Sequence, residues 1–144
     1  MYSNSNYSGS GLTIKAKDKI YGLEKEIIVL DTLKKYYPSV QKTKDKYCLY
    51  DFESNSSVFE LKSRRILKDT FPDILINTTK IMCLLNNKKR GYVLFNLYDG
   101  LYKFKVTNKS LKDCSFRSGG RTDRGSCEIT DCCFIPTRLL KKID

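Results

Sequence analysis

Residues 47–64 read YCLYDFESNSSVFELKSR, and this stretch decides the expected fold. Two runs rich in strand-forming residues, 47–52 and 58–64, flank the turn-like sequence SNSS, so the stretch predicts a β-hairpin. If Ser54 to Ser57 form a four-residue loop, the register of the two strands follows by counting outward from that loop. Successive strand residues point to opposite faces, so the register also decides which side chains meet.

That register brings two carboxylates together. Asp51 faces Glu60, with about 5 Å between their Cβ atoms. Lys62 shares this face, whereas Phe59 and Leu61 form an apolar opposite face. Facing carboxylates repel unless a cation lies between them, and hard oxygen ligands suit Mg²⁺ or Mn²⁺. The hairpin therefore predicts a metal-dependent phosphodiesterase site with Lys62 stabilising charge on the phosphate. The alternative is a solvated face with an ordinary Glu–Lys pair.

The region before the hairpin predicts an amphipathic helix. Apolar residues recur at helical spacing over residues 20–37, and a proline follows. At about 100° per residue, Glu26 lies roughly 60° from Leu23 and inside the apolar arc. A carboxylate on a buried face needs a partner, so Glu26 indicates either the metal site or a buried ion pair with Lys34 or Lys62.

The region after the hairpin predicts a helix and a second hairpin. Pro72 and the following residues open a helical pattern that runs over 73–85. Strands at 92–98 and 101–106 then flank the dipeptide Asp99-Gly100, which suits a tight type I′ turn.

The remaining segments complete an α/β fold with a mixed central sheet flanked by helices, in αβββαβ order. We expect a flexible lead-in over residues 1–17, with order starting near Asp18, and a single domain over 18–144. The other expected elements are a short first strand at 40–43, a long polar loop at 107–126, a strand at 127–135 and a closing helix at 136–143.

Composition points to a polyanionic partner. The 144 residues include 27 Lys and Arg against 16 Asp and Glu, a formal net charge of +11 at pH 7, and such a surplus favours DNA. RNA stays an alternative, because a carboxylate–lysine site reads phosphate and not sugar. The chain has no histidine, which excludes Ser-His, Cys-His and zinc-His mechanisms within it.

Basic residues in three places are candidates for contacts with nucleic-acid phosphates. They follow the first hairpin, lie on and after the second helix, and interleave with glycine in the long loop. The candidates are Arg64, Arg65, Lys80, Lys88, Lys89, Arg90, Arg117, Arg121 and Arg124. The alternatives are solvated charge, surface exposure for Lys80, and a structural loop held by Asp123.

The N-terminal sequence MYSNSNYSGSG has no basic segment followed by an apolar one, and no apolar run approaches the ~20 residues of a membrane span. We therefore expect an intracellular protein, cytoplasmic or nuclear, that is not secreted and has no membrane partner. The six cysteines are expected to be reduced core thiols. A four-thiolate zinc site at Cys114, Cys127, Cys132 and Cys133 is the alternative, although it lacks paired C-x-x-C spacing.

Together these patterns resemble the PD-(D/E)XK nuclease superfamily, which includes archaeal Holliday-junction resolvases. The resemblance covers about residues 19 to 140. It is carried by Gly22-x-x-x-Glu26 on a helix, Asp51 on a strand and Glu60-Leu61-Lys62 on the next strand. Further strings are similar to small members encoded by giant DNA viruses: ELKSRR at 60–65, TTK at 78–80, YDGLY at 98–102, GGRTDRG at 119–125 and FIP at 134–136.

The resemblance implies a restriction-endonuclease-like core and a Mg²⁺- or Mn²⁺-dependent endonuclease that cleaves DNA in repair, recombination or viral genome processing. Metal ligands would be Asp51, Glu60 and the backbone carbonyl of Leu61; Lys62 would be catalytic, and Glu26 would serve a second metal or orient water. One departure is that Asp51 is not preceded by proline. The alternative function is a nucleic-acid-binding or virion-associated protein without catalysis. A virus factory or virion location and a homodimer are left open.

Overall fold

The computed structural model describes residues 12–43, 50–123 and 127–144. Residues 1–11 of the expected lead-in at 1–17, the start of the first hairpin at 47–49, and Arg124 lie outside the described residues. Within the described part, no helix is long and apolar enough to cross a membrane.

The described chain contains three α-helices, nine strands and one 3₁₀ turn. In chain order they are α1 (Ile14–Leu33), β1 (Gln41–Lys42), β2 (Phe52–Glu53), β3 (Ser57–Ser63), β4 (Asp73–Asn77), α2 (Thr78–Leu85), β5 (Arg90–Leu97), β6 (Gly100–Val106), α3 (Asn108–Leu111), β7 (Ser115–Gly119), β8 (Thr130–Pro136), the 3₁₀ turn (Thr137–Leu139) and β9 (Lys141–Lys142).

The strands form two sheets. A six-stranded sheet has the order β1-β2-β3-β5-β6-β9, and a three-stranded sheet has the order β4-β8-β7. In the larger sheet β3 and β5 are parallel and the other neighbours are antiparallel. The chain crosses from β3 to β5 through β4 and α2, as parallel neighbours require. The predicted α/β class with a mixed sheet is confirmed, and so is the short strand before the first hairpin.

Each face of the larger sheet has its own apolar core. Phe59 and Leu61 of β3 belong to the core that includes Val29 and Leu33 of α1. Val58 belongs to the other core, with side chains of α2 and β8. Glu60 shares the face of Val58 because strand residues alternate. This alternation places Glu60 toward α2.

Helix α1 differs from the sequence prediction in its start and its packing face. It begins at Ile14 rather than near Asp18, and the hydroxyl of Thr13 caps it by accepting from the Ala16 N–H at 3.1 Å. Leu23 is 48% exposed and Ile27 70% exposed, so this part of the predicted apolar arc was wrong, whereas Leu30 and Leu33 do pack. Apolar residues occupy more of this helix than one face can bury, and the residues that it buries fully are the i, i+4 pair Val29 and Leu33.

The predicted second helix is a strand followed by a shorter helix. Residues 73–77 read DILIN and form β4, with alternating burial and pairing to β8. Helix α2 starts only at Thr78, after the side chain of Asn77 accepts the Thr79 N–H at 2.8 Å. Residues 73–77 form a strand because every second side chain is buried and the backbone pairs with β8, although the sequence pattern favours helical spacing.

The C-terminal half also differs in detail. Leu97 pairs with Gly100, so the hairpin turn consists of Tyr98 and Asp99 rather than Asp99-Gly100. Gly100 lies in β6 with φ +151, a value that favours glycine. The expected loop at 107–126 contains α3 and β7, and the expected closing helix is a 3₁₀ turn followed by β9.

Candidate active site

A cavity of about 270 Å³ opens between α1, β3 and α2 and gathers all four predicted catalytic residues. We call it the carboxylate cavity. Its lining residues are Lys19, Gly22, Leu23, Glu26, Asp51, Glu60, Leu61, Lys62, Ser63 and Lys80.

The β2–β3 hairpin has the predicted register. Glu53 pairs with Val58 and Phe52 with Phe59. The turn is held by Ser54, whose N–H donates to the Ser57 carbonyl at 2.8 Å and whose hydroxyl accepts the Ser57 N–H at 3.1 Å. Serine turns of this kind fix a short loop, and the loop length in turn fixes the register.

Asp51 lies one residue before β2, and its backbone still bonds to β3. Its N–H donates to the Phe59 carbonyl at 2.8 Å, and its carboxylate Oδ2 accepts the Leu61 N–H at 2.7 Å. The carboxylate thereby takes a backbone donor of β3 and is anchored beside Glu60. Leu61 contributes its N–H to this arrangement, whereas the sequence prediction assigned its carbonyl to a metal.

Glu60 is the most buried charged group of the cavity, with 2% of its surface exposed. Its Oε2 lies 3.1 Å from the Nζ of Lys62, and its Oε1 lies 3.5 Å from the Nζ of Lys80. Lys80 is therefore at the site and not on a remote surface. Among the described residues Glu60 Oε1 accepts no hydrogen bond, so its one described compensation is the ion pair with Lys80.

The surroundings of Glu60 disfavour its ionised form. Burial raises the pKa of Glu60, and the nearby charge of Asp51 raises it further, while Lys62 and Lys80 lower it. Desolvation and the second carboxylate outweigh the two lysines. A cation placed between the carboxylates would oppose this increase, because an adjacent positive charge favours the ionised form of both groups.

Glu26 reaches the cavity from α1, on the same side of the helix as Val29 and Leu33. Its side chain is 14% exposed and forms an ion pair with Lys42 of β1. The alternative of a pair with Lys34 or Lys62 was wrong, because the ion pair that the structure shows for Glu26 is with Lys42.

The fit of a divalent cation rests on two carboxylates. In the described part of the chain, no group of three or more His, Cys, Asp or Glu side chains is placed to hold a metal ion. Mg²⁺ is nevertheless commonly held by one or two carboxylates together with waters and substrate phosphates. Asp51 and Glu60, whose Oε1 accepts no hydrogen bond among the described residues, fit that donor set.

The predicted phosphate-contacting residues divide into two groups. Arg64 and Arg65 follow β3 at the cavity end, whereas Arg90 pairs with Ser57 at the opposite end of the strands. From Lys62 to that end is about 16 Å along the sheet. Lys88, Lys89 and Arg90 are thus far from the cavity.

Lys89 has a structural role, because its ammonium is held by contacts within the chain. Its Nζ lies 2.5 Å from Glu53 Oε2 and donates to the Ser54 carbonyl at 3.0 Å. This contact ties the loop before β5 to the first hairpin.

Two other predicted phosphate contacts meet on α1. Arg65 lies 4.0 Å over the ring of Tyr21 and 3.1 Å from Asp18, and Arg121 lies 3.0 Å from the same Asp18 and 2.8 Å from Asp123. The open alternative for the loop, a structural role with Asp123, therefore has geometric support.

Arg117 lies on β7, where the sequence suggested loop. Its guanidinium is 3.6 Å over the ring of Phe134 and 3.7 Å from Asp73. It bridges strands of the smaller sheet.

Sequence reasoning missed three contributors to this region. Lys19 lines the cavity from α1, Lys42 neutralises Glu26, and Asp18 holds the two arginines. The spacing of Lys19, Gly22 and Glu26 along one helix face was the available signal. Nothing in the sequence pattern predicts the pairing of Lys42 with Glu26, because it depends on a strand of two residues.

No protein-family model matches this chain, and no curated protein or solved structure is significantly similar to it. The geometry of the carboxylate cavity therefore carries the functional argument.

Proposed function

We propose that this chain is a Mg²⁺-dependent endonuclease that hydrolyses DNA phosphodiester bonds at the carboxylate cavity. The proposal includes a restriction-endonuclease-like core. In support, α1, β1, β2, β3, α2 and β5 follow the αβββαβ order around the cavity, with β4 inserted into the smaller sheet.

The observation that carries the proposal is the buried carboxylate of Glu60 beside Asp51. The ionised form of a carboxylate that is exposed by only 2%, and that has one oxygen without a hydrogen bond, is costly even beside two lysines. The cost is offset when a divalent cation binds there. A carboxyl whose pKa is raised, in a cleft beside a second carboxylate and two lysines, is a candidate functional group.

The lysines and carboxylates have distinct roles in this proposal. Asp51 and Glu60 would hold the cation, which when bound supplies Lewis-acid activation of water and neutralises phosphate charge. Lys62 is 3.1 Å from Glu60 and only partly exposed, so its ammonium is positioned to stabilise charge on the cleaved phosphate. Lys80 would contact a substrate phosphate from α2, and Glu26 would orient water at the rim.

A nucleic-acid-binding protein without catalysis is the second candidate. One observation favours it: Glu60 is paired with two lysines and Glu26 with Lys42, so these carboxylates are compensated within the chain. Such a protein would bind DNA in the presence of EDTA and cut none of it in Mg²⁺.

The test compares cleavage of linear, nicked, single-stranded and four-way-junction DNA in Mg²⁺ and in EDTA. We expect Mg²⁺-dependent cleavage by the wild type and none by Asp51→Asn or Glu60→Gln, because each variant removes a metal ligand without changing side-chain volume. The same cleavage assay on RNA of matched sequence shows whether the protein distinguishes DNA from RNA.

The matched control is Glu53→Gln. Glu53 is on the same hairpin, but it pairs with Lys89 outside the cavity. This variant should cut at the wild-type rate. Wild-type rates in Asp51→Asn and Glu60→Gln would place the active site elsewhere.

A further inference from the structure

A second cavity, of about 310 Å³, lies beside β6, two strands from β3 in the larger sheet. Three lysines line it: Lys103 and Lys105 on β6 and Lys141 on β9. Lys103 pairs directly with Lys141 across the two strands, and Lys105 lies on the same face two residues further along. We call it the lysine cavity.

Opposed like charges destabilise a sheet pair, so this arrangement needs a reason. The Nζ of Lys103 donates to the Tyr37 hydroxyl at 3.4 Å and lies 5.6 Å from the centre of the Tyr92 ring. These contacts orient the ammonium without neutralising it. Among the described lining residues Asp113 is the one acidic side chain, so positive charge is in excess and favours an anion of more than one negative charge.

Part of the floor of the lysine cavity is apolar. Tyr92, which is 8% exposed, lies on the same face as Lys103 and Lys105, and the half-buried Leu139 also lines the cavity, whereas Phe104 turns its side chain to the opposite face. Sites with an apolar floor and a few convergent polar groups are typical of small-molecule binding. An inorganic anion would leave this floor unused, whereas a ligand with a planar ring would cover it.

Asp113 narrows the ligand further. A carboxylate in the wall repels a simple polyanion, but it accepts hydrogen bonds from the N–H and O–H groups of a base or a ribose. The ligand therefore combines phosphate, a planar ring and hydrogen-bond donors.

We propose that the lysine cavity binds a nucleotide, with its phosphates on Lys103, Lys105 and Lys141 and its base against the apolar floor. The same chemistry is offered by a free nucleotide and by the 5′-phosphorylated end of a strand. The proposal does not depend on cleavage at the carboxylate cavity, since the two cavities share no lining residue.

The experiment is calorimetric titration of the full chain with ADP in EDTA, which prevents metal-dependent cleavage. We expect saturable binding that Lys103→Gln/Lys141→Gln weakens by about tenfold or more, since the variant removes charge-assisted hydrogen bonds to phosphate. Lys105→Gln provides a second variant at an exposed position, in case the double variant does not fold. The matched control is Lys142→Gln, one residue from Lys141 on β9 and outside the cavity, which should bind like the wild type.

One further ligand distinguishes a strand end from a free nucleotide. A 5′-phosphorylated trinucleotide that binds more tightly than ADP assigns the site to a strand end, and the reverse order assigns it to a free nucleotide. The proposal is overturned if neither ligand binds saturably, if the lysine variants bind like the wild type, or if inorganic phosphate binds as tightly as ADP.

Discussion

The carboxylate cavity beside β3 and the lysine cavity beside β6 lie at one level of the same sheet, because Glu60 pairs with Val93 and Val93 with Phe104. Each cavity has like charges on neighbouring strands, but the repulsion is compensated by different means, protein charges in one and solvent in the other. Glu60 is 2% exposed and has two lysines within 3.5 Å. Lys105 and Lys141 are exposed to solvent.

The difference follows from desolvation. A buried charge must be compensated by groups of the protein itself, since water cannot reach it. Charges at the surface are screened by water and salt and can be left for a ligand. We therefore expect changes at the carboxylate cavity to act on metal binding and turnover, and changes at the lysine cavity to act on nucleotide binding.

The two cavities would not have separate functions if duplex DNA itself bound across the lysine cavity. If 6–10 phosphates are contacted, DNA affinity should fall by about 10³–10⁵ between 50 and 200 mM salt. We expect Lys103→Gln/Lys141→Gln to leave the slope of log affinity against log salt unchanged for closed-circular DNA, which has no strand ends. A shallower slope would merge the two regions into one DNA-binding surface.

The same measurement tests the loop that contains Arg121 and Arg124. Arg121→Ala/Arg124→Ala should make the slope shallower by about one unit for each phosphate that these arginines neutralise in the wild type. An identical slope would assign the loop to the structural role suggested by the Arg121 pairs with Asp18 and Asp123.

The next largest effect is expected at Lys62, and it sharpens the distinction between turnover and binding. Lys62→Ala should lower the turnover number by about 10²–10³, the range for loss of one preorganised charge donor, with little change in DNA affinity. The control is Lys68→Ala, whose side chain is similarly exposed (23% against 28%) and pairs with Asp69 outside the cavity. A loss confined to affinity would make Lys62 a phosphate contact only.

The first hairpin shows how far sequence reasoning reaches. Loop length and side-chain alternation placed Glu53 opposite Val58, and they brought Asp51, Glu60 and Lys62 to one cavity. These are local rules, fixed by a turn of four residues and the period of a strand.

Nonlocal packing decided what the sequence did not predict. The α1 stripe was ambiguous because apolar residues surround most of the helix, and only contact with β3 selects Val29 and Leu33. Likewise the sequence pattern favours a helix at β4, because the strand that pairs with β4 lies more than fifty residues later in the chain. The ion pair of Glu26 with Lys42 depends on the same kind of distant contact.

The smallest expected effect concerns stability at the carboxylate cavity. Because burial and Asp51 raise the pKa of Glu60 above its ordinary 4.5, the folded state binds this proton more tightly than the unfolded state does. The ionised side chain therefore destabilises the metal-free protein at neutral pH, and stability from this group rises as the pH falls through the raised pKa. Glu60→Gln should melt at a higher temperature than the wild type at pH 7 in EDTA, and the difference should vanish well below pH 4.5.

Adding Mg²⁺ should reverse that order, and this reversal separates a metal site from a merely strained carboxylate. A ligand present at 100 times its dissociation constant stabilises a folded protein by about 2.7 kcal/mol, so the wild type should gain melting temperature in Mg²⁺ while Glu60→Gln gains little. Glu53→Gln, which removes a carboxylate from the same hairpin outside the cavity, should respond to Mg²⁺ like the wild type. If Mg²⁺ stabilises Glu60→Gln as much as the wild type, the buried carboxylate is not a metal ligand. Glu60 would then be the centre of an ion-pair network with Lys62 and Lys80, and the function would be binding without cleavage.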